Sequence, residues 1–566
     1  MVKIQMTGWA RLARLLGWAL AGLAAVAALL ALGVRFLLLP WLSQHPEAVT
    51  AAASRALGES VAISGITAHW DGPRPQIELS GVRLLAQSGQ PALELPAVTI
   101  TLAWRSLLQG QPALAALELT APALRLRRDH EGRLFIAGLE LKPSTSGAPG
   151  LGSALLVAGE IIVLDGTLTW EDEARRAPPL RFDQVAFRLH NSGRRHDFEL
   201  SAQPPPEQAS TWRIRGELTD QWDGRFGAAG ERLDLAAWQP WIDYPFTVNS
   251  GVGALQITGS LRHRVPIAVT ADLQLADVSV RLADNLPELR LKRIAGQLGG
   301  SEAGDASGTG YEIFGRGFTL ETAAGEALPA TDFTVTWAPP EAGDGNQGNA
   351  AATVLELTPL VLVSKALPLP PAARALLADA APRGRLEHTR FAWTGPLHQP
   401  ATFSLSAGFT GLGLKPYGDW PGFANLSGRF AVTEQGGDAR LDASSATIDY
   451  PRMFHESPLS FATLAARIDW TVADGQVEAR FEDVQFANPD LAARVSGSYR
   501  ARPNADPYLN LTATLPRADG RRLYRYLPFI GNPTTQWLQT AIVSASIIDG
   551  SVRLQGNPKN FPFVNS

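Results

Sequence analysis

The chain has 566 residues, which is more than one ordinary domain needs, so it can bury one large core or several. Only 18% of its residues are charged and the net charge is -4, which argues against the basic surface that nucleic-acid binding requires. It contains no cysteine, and this excludes disulfides, thiolate metal sites and cysteine nucleophiles.

The first predicted element is a membrane-spanning helix. Uncharged, mostly apolar residues run from Leu15 to Val34, which is long enough to cross roughly 30 Å of hydrocarbon. Lys3, Arg11 and Arg14 precede this run, so the positive-inside rule leaves residues 1–14 in the cytoplasm. We therefore predict a transmembrane signal anchor over 15–39 and export of residues 40–566.

A cleavable signal peptide is the alternative for this segment. Its apolar region is shorter, about 7 to 15 residues, and ends in a small-residue cleavage site. Here the apolar run is followed by Arg35-Phe36-Leu37-Leu38-Leu39-Pro40-Trp41, which has no such site. The sequence therefore favours an uncleaved anchor.

Short alternating segments dominate the rest of the chain. Apolar residues occupy every second position while Glu, Thr or Arg occupy the positions between them, and this predicts about two dozen to thirty β-strands that are apolar on one face. Few helices are predicted: Pro46–Leu57, Leu233–Ile242, Pro371–Ala380, Ala518–Tyr526 and Thr534–Ile542.

The apolar face of these strands must be covered. A second sheet would give a row of β-sandwiches, and a parallel β-helix is a further possibility. The third is one long, curled antiparallel sheet that forms an elongated open trough with an apolar interior, which would suit acyl chains. For this trough we predict a lipid-binding lining of Ile77, Leu79, Ile100, Leu102, Trp104, Leu117, Leu119, Leu124, Leu126, Val185, Phe187, Leu189, Leu255, Ile257, Ile267, Val269, Phe403, Leu405, Ile468, Trp470, Leu509 and Leu511.

Catalytic signatures are missing from the sequence. His130-Glu131 and His455-Glu456 lack the second histidine of a zinc helix, and no phosphate-binding glycine loop or nucleophile elbow occurs. The carboxylates lie on the polar faces of alternating segments, where solvated charges are usual. We predict no enzymatic activity, no catalytic residue, no metal and no cofactor.

Several segments resemble the YhdP branch of the bacterial AsmA-like family of bridge-like lipid-transfer proteins. The resemblance covers essentially the whole chain and rests on structural phrases. These are the N-terminal anchor, Trp70-Asp71-Gly72-Pro73-Arg74-Pro75-Gln76, Leu102-Ala103-Trp104-Arg105-Ser106-Leu107-Leu108, Gly132-Arg133-Leu134-Phe135-Ile136, Ala381-Pro382-Arg383-Gly384-Arg385-Leu386, Tyr526-Leu527-Pro528 and Gly550-Ser551-Val552-Arg553-Leu554.

The resemblance implies a single-pass protein of the bacterial inner membrane, with its bulk in the periplasm, that carries phospholipid toward the outer membrane. Members of this branch are longer, so we expect this sequence to be an N-terminal portion. Partner proteins in either membrane are not specified by the sequence. Two alternatives use the same features differently: a periplasmic assembly factor for outer-membrane proteins, which pairs client strands with a sheet edge, and a cell-envelope carbohydrate enzyme.

Overall fold

The alternating segments form antiparallel β-sheet, as predicted. A computed structural model describes residues 7–57, 60–71, 74–85, 91–103, 114–136, 139–140, 158–208, 211–305, 308–338, 347–418, 420–503, 505–527 and 532–557. Within these ranges there are 28 strands and few helices. The predicted mainly β fold, with a long open antiparallel sheet, a few short helices and one N-terminal apolar helix, is confirmed.

The chain divides into two units. The first comprises Met1–Asp243 and Gln256–Pro266, and the second Tyr244–Leu255 and Ile267–Ser566. The strands are β1 Ser60–Ala62, β2 Gly65–Asp71, β3 Arg74–Leu85, β4 Pro91–Leu102, β5 Leu114–Thr120, β6 Ala123–Arg128, β7 Leu134–Ile136, β8 Leu139–Glu140, β9 Glu160–Asp172, β10 Leu180–Ser192, β11 Arg195–Gln203, β12 Trp212–Thr219, β13 Gly224–Asp234, β14 Thr247–Arg262, β15 Val265–Arg281, β16 Leu289–Asp305, β17 Gly308–Thr322, β18 Ala327–Ala338, β19 Gln347–Glu356, β20 Arg383–Thr394, β21 Thr402–Leu414, β22 Gly422–Thr433, β23 Gly436–Asp449, β24 Leu459–Ala473, β25 Gln476–Ala487, β26 Leu491–Arg502, β27 Ala505–Asp519 and β28 Ser546–Gly556.

The described helices are few, and half of them precede β1 while the others lie between strands. They are α1 Thr7–Gly33, α2 Leu39–Gln44, α3 Pro46–Leu57, α4 Leu357–Ser364, α5 Pro371–Ala380 and α6 Asn532–Ala541, with a π-helical turn at Val34–Leu38 and a 3₁₀ helix at Gly520–Tyr526. The predicted helices at Pro46–Leu57 and Pro371–Ala380 are confirmed, and α6 corresponds to the one predicted at Thr534–Ile542.

Two helix predictions differ from the structure. Residues 235–241 form turns, because the Asp234 carboxylate accepts the backbone N–H groups of Ala236 and Ala237 and Pro240 cannot continue a helix. At Ala518–Tyr526, β27 extends to Asp519, so only Gly520–Tyr526 is helical. Helix α4, by contrast, has no polar face that would predict it, and it packs across β17–β20.

The N-terminal helix is long and apolar enough to cross a membrane. The candidate span is Leu15–Gln44, which includes the π-helical turn and α2. Large apolar side chains along it, such as Trp18 and Leu23, are exposed to the surroundings. Exposed apolar side chains over this length match a helix whose solvent is lipid.

The first unit departs once from antiparallel pairing. The first part of strand β9, from Glu160, pairs in parallel with β5, and its second part, from Thr167, pairs in parallel with β6. The other edge of β9 pairs antiparallel with β10. Strands β5 and β6 therefore act as one strand broken at Pro122. The break lies opposite Gly166, and the backbone N–H of Thr167 donates to the Pro122 carbonyl across 2.9 Å. The hairpins β6–β7 and β7–β8 follow before β9 returns alongside.

The second unit is an uninterrupted antiparallel meander from β15 to β28. Each strand pairs with the next, and the described part of β28 pairs only with β27. Its connections alternate in kind. Where they are described, those after even-numbered strands are two-residue turns, such as Glu434-Gln435 and Asp474-Gly475, except for the longer connection 395–401 after β20; we call this side the hairpin rim. Those after odd-numbered strands include the longer segments and helices, such as α4–α5, and we call this side the loop rim.

β-Bulges interrupt the register of many strands between the two rims. In the second unit, shifts occur in β20 between Glu387 and Arg390, in β21 between Phe409 and Leu412 and in β25 between Phe481 and Val484. A bulge bends its strand and increases the local twist, so a line of bulges on successive strands curves the sheet.

A charged cluster joins β14, β15 and the loop before β16 in the second unit. The Glu288 carboxylate accepts hydrogen bonds from the Ser279 hydroxyl, from Arg290 Nε at 2.7 Å and from Asn249 Nδ2 at 2.6 Å. These bonds, led by that of Ser279, lower the pKa of Glu288 from 4.5 to about 2.

The Glu288 cluster should make the second unit sensitive to acid. A lowered folded-state pKa stabilises the fold above pH 4.5, and this contribution is lost as the pH falls toward about 2. We expect Glu288→Gln to lower the free energy of unfolding at neutral pH. Between pH 4.5 and about 2 the variant should lose less of this free energy than wild type, which urea unfolding at several pH values measures. Parallel pH profiles for the two proteins would contradict this assignment.

Candidate functional site

An unbroken apolar row crosses the second unit from β15 to β28, with one residue per strand. Directly paired positions of an antiparallel sheet lie on the same face, so the register alone defines this row. We call it the central row: Val269, Gly300, Ile313, Val335, Ala350, Phe391, Leu405, Val432, Gly437, Trp470, Ala479, Tyr499, Leu509 and Gly556.

The central row is open. Every one of its residues is half-buried or exposed, and Val269 and Ile313 are 37% and 46% exposed. The core of a β-sandwich would bury such residues almost completely. Among the described residues of the second unit, therefore, no other protein layer encloses this row.

Two further rows flank the central row on the same face. Toward the loop rim lies a second row, made of Ala271, Leu298, Gly315, Phe333, Ala352 and Thr389 on β15–β20 and of Ala407, Phe430, Ala439, Ile468, Phe481, Gly497, Leu511 and Leu554 on β21–β28. Toward the hairpin rim lies an aromatic rim row of Tyr311, Trp337, Gly348, Trp393 and Phe403. The Tyr311 and Trp337 rings stack with centroids 5.6 Å apart.

The opposite face of these strands is polar. On β23–β25, Asp438, Asp469 and Arg480 form a cross-strand row. Arg467 Nε lies 3.2 Å from Asp469 and 3.7 Å from Glu482. Charges of both signs on exposed side chains indicate a face that contacts water, so the second unit is apolar on one face only.

Toward the loop rim, the apolar face is buried by other parts of the chain. Beyond the bulges, Phe409, Leu426, Ala443, Ala446, Leu459, Phe461 and Leu464 form a buried cluster against which Phe454 of the β23–β24 loop packs. A smaller buried cluster of Leu491, Ala493 and Ala518 packs against Leu523 and Tyr526 of the 3₁₀ helix. The sheet thus has a closed side at the loop rim and an open side at the hairpin rim.

A polar network fastens the 3₁₀ helix at this closed side. The Asn488 amide donates to the Tyr526 hydroxyl across 2.6 Å, and that hydroxyl donates to Asp490 across 3.0 Å. Burial raises the pKa of Tyr526. Arg525 bridges Asp490 and Glu456 through Nη1 and Nε, at 2.5 and 2.7 Å. Because Asn488, Tyr526 and Asp490 are hydrogen-bonded to one another and Arg525 donates to Asp490, we assign the network a structural role.

The first unit carries two apolar rows of the same kind. One is Ala68, Ile77, Ile100, Leu117, Ile161, Leu189, Phe198, Gly216 and Phe226, and the other is Ile66, Leu79, Val98, Leu119, Val163, Phe187, Leu200, Ile214 and Ala228. The rows are covered at one end, where Leu42, Val49 and Ala53 of α2 and α3 pack against the core cluster. From β10 to β13 most of their side chains are half-buried.

Register groups most of the predicted lining residues into these rows. The central row contains Val269, Leu405, Trp470 and Leu509, the second row contains Ile468 and Leu511, and the rim row contains Phe403. The first-unit rows contain Ile100, Leu117, Leu119, Phe187 and Leu189.

Other predicted lining residues stand apart from the open rows. Ile77 and Leu79 belong to the covered end of the first-unit rows and, like Val185, are buried by the protein itself, so we leave all three out of the lining. Leu102 packs against the core near α3, while Leu124 and Leu126 pair with Leu168 and Trp170 of β9. Leu255 and Ile257 on β14 and Ile267 on β15 are half-buried. Trp104 lies outside the described residues.

Other lining positions were absent from the predicted set. Val335, Phe391 and Val432 carry the same alternation and could have been found from it. The row glycines Gly300, Gly315 and Gly348 could not, because a glycine in an alternating segment predicts a turn as readily as a lining position. In the described ranges, no cluster of three or more His, Asp or Glu side chains could hold a metal ion.

Comparisons with known proteins agree on one family. The protein-family model described as "YhdP protein" matches residues 5–566. Among curated proteins, the intermembrane phospholipid transporter YhdP of Escherichia coli (strain K12) is 24% identical over 575 residues, covering 96% of this chain and 43% of that protein. The chain thus spans less than half the length of this relative. No solved structure matches the chain.

Proposed function

This chain belongs to the YhdP protein family, and from that premise we propose that it carries phospholipid between membranes, with acyl chains lying along the open apolar rows. The central row is the observation that carries the proposal, because it is apolar across β15–β28 and open throughout. Each methylene moved through water costs about 0.8 kcal/mol, so a chain of about sixteen carbons faces a barrier of about 13 kcal/mol. A continuous apolar surface lowers this barrier without any catalytic group.

The proposed arrangement places the chain in the bacterial inner membrane. The apolar helix supplies a single anchor over 15–39, and Lys3, Arg11 and Arg14 hold residues 1–14 in the cytoplasm. Residues 40–566 then lie in the periplasm and lead phospholipid toward the outer membrane. The E. coli relative's description as an intermembrane phospholipid transporter supports this assignment.

The lipid should lie with its headgroup toward the hairpin rim. Acyl chains can reach the central and second rows, whereas the apolar side chains of the two buried clusters on β21–β27 are already covered by protein toward the loop rim. Trp and Tyr rings favour the boundary between hydrocarbon and water, which matches the position of the rim row.

Photo-crosslinking from matched positions on β18 tests the proposal. A photoreactive residue at Val335 in the central row should form phospholipid adducts in membranes. The same residue at Thr334, exposed on the polar face, should form almost none. Mass spectrometry identifies the adducts. Equal lipid adducts from both positions, or adducts from Val335 to protein alone, would overturn the proposal; the second result would favour an assembly factor.

A further inference from the structure

Large aromatic rings on the apolar face lean over glycines of the neighbouring strand. In the second unit Phe333 is paired with Gly315, Trp393 with Gly348 and Trp470 with Gly437; in the first unit Phe198 is paired with Gly216. Each pair belongs to one of the apolar rows defined above.

The rings occupy the space that a side chain on the glycine would need. A Cβ added at Gly348 would lie 2.5 Å from Trp393 Cε2, and one at Gly315 would lie 2.7 Å from Phe333 Cζ. At Gly216 it would lie 2.5 Å from Phe198 Cζ, and at Gly437 2.7 Å from Trp470 Cζ2. Each ring therefore lies sideways across the partner strand.

Backbone conformation does not explain these glycines. Gly216, Gly315, Gly348 and Gly437 all lie outside the positive-φ region, so an L-residue could adopt their backbone without strain. Glycine in the middle of a strand is otherwise unfavourable, because it adds backbone entropy to the unfolded state and packs nothing. At Gly315 and Gly348 the three atoms nearest an added Cβ all belong to the ring, whereas a Cβ at Gly437 would also meet the Ala431 carbonyl.

We propose that these ring-over-glycine pairs keep the lipid path clear by holding bulky rings flat against the apolar face. This inference rests on the proposed function. Trp393 is only 8% exposed although it stands on an open face, as expected of an indole lying along the sheet. A ring that stood off the sheet would project into the space of the acyl chains. The glycines are therefore positioning residues, and the rings form part of a flat apolar surface.

The proposal predicts that adding an apolar side chain at a row glycine lowers phospholipid transfer, although greater hydrophobicity alone would raise lipid affinity. Valine at position 348 adds apolar surface to the lining, which by itself should favour lipid. We expect Gly348→Val in the full chain to lower phospholipid transfer between vesicles about tenfold, the effect of losing about two methylene contacts. Adding Trp393→Ala to Gly348→Val should restore transfer, because the displaced ring is gone. Gly315→Val provides a second test beneath Phe333.

Gly299→Val is the matched control. Phe314 leans over Gly299 in the same way, with Phe314 Cε1 2.7 Å from an added Cβ, but this pair lies in the polar-face row that includes Thr334. Gly299→Val should disturb folding as much as Gly348→Val, measured by urea unfolding, yet leave transfer near the wild-type rate.

Four outcomes would overturn the inference. Unchanged transfer by Gly348→Val and Gly315→Val would show that the rings do not need the space over the glycines. An equal fall in Gly299→Val, or failure of Trp393→Ala to restore transfer, would assign the glycines to folding. If the wild-type chain neither transfers lipid nor crosslinks to it from Val335, the proposed function fails as well, and this result is distinct from the first three.

Discussion

Replacing Leu405 by aspartate is expected to lower phospholipid transfer about 30-fold, since leaving a carboxyl group unpaired against acyl chains costs at least about 2 kcal/mol. Leu405 lies near the middle of the central row, between Phe391 and Val432 on the neighbouring strands. A lipid moving along this face must pass it. The readout is the transfer of a fluorescent phospholipid between donor and acceptor vesicles by the 566-residue chain.

Ser404→Asp is the matched control for Leu405→Asp. Ser404 is the preceding residue on β21, is exposed, and lies on the polar face between Ala392 and Thr433. It introduces the same charge into the same strand without touching the proposed path, so transfer should stay within about twofold of wild type. A fall in both variants would point to loss of the pairing of β21 with β20 and β22, and unchanged transfer in Leu405→Asp would contradict the proposed path.

Truncating leucines on the two sides of the bulges should cost very different amounts of stability. Leu459 belongs to the buried cluster at the loop rim and is 3% exposed, so Leu459→Ala should leave a cavity and cost about 3 kcal/mol. Leu509 stands half-buried in the central row. Leu509→Ala removes contacts without creating an enclosed cavity, and we expect it to cost about 1 kcal/mol.

Urea unfolding of the delipidated protein measures this difference. Unfolding is followed by tryptophan fluorescence, to which Trp393 and Trp470 of the second unit contribute; neither of them is paired with Leu459 or Leu509 in the register described above. Added phospholipid should stabilise wild type more than Leu509→Ala, because binding to the folded state adds to its stability. Costs near 3 kcal/mol at both leucines would mean that the central row is enclosed, which would remove the basis for an open lining.

The alternation of apolar and polar residues predicted the strands, their two faces and the scarcity of helices. It could do so because the side-chain period of a strand is a local property that each segment carries by itself. The N-terminal helix was predictable for a similar reason, since its length and composition are sufficient to recognise it. Sequence could not predict the parallel pairing of β9 with β5 and β6, which depends on where the chain returns after β8.

The local pattern of residues was therefore enough to predict strands that are apolar on one face and follow an apolar helix, and to predict which residues of each strand share a face. Which apolar positions join into rows, and which of these rows stay open, depends on how the strands pair and on what packs over them. Ile77 and Leu405 have the same alternation, yet helices cover the core around the first while the second remains accessible. The reason is physical: cross-strand neighbours are distant in sequence, their register shifts at each bulge, and coverage depends on segments that pack from elsewhere in the chain.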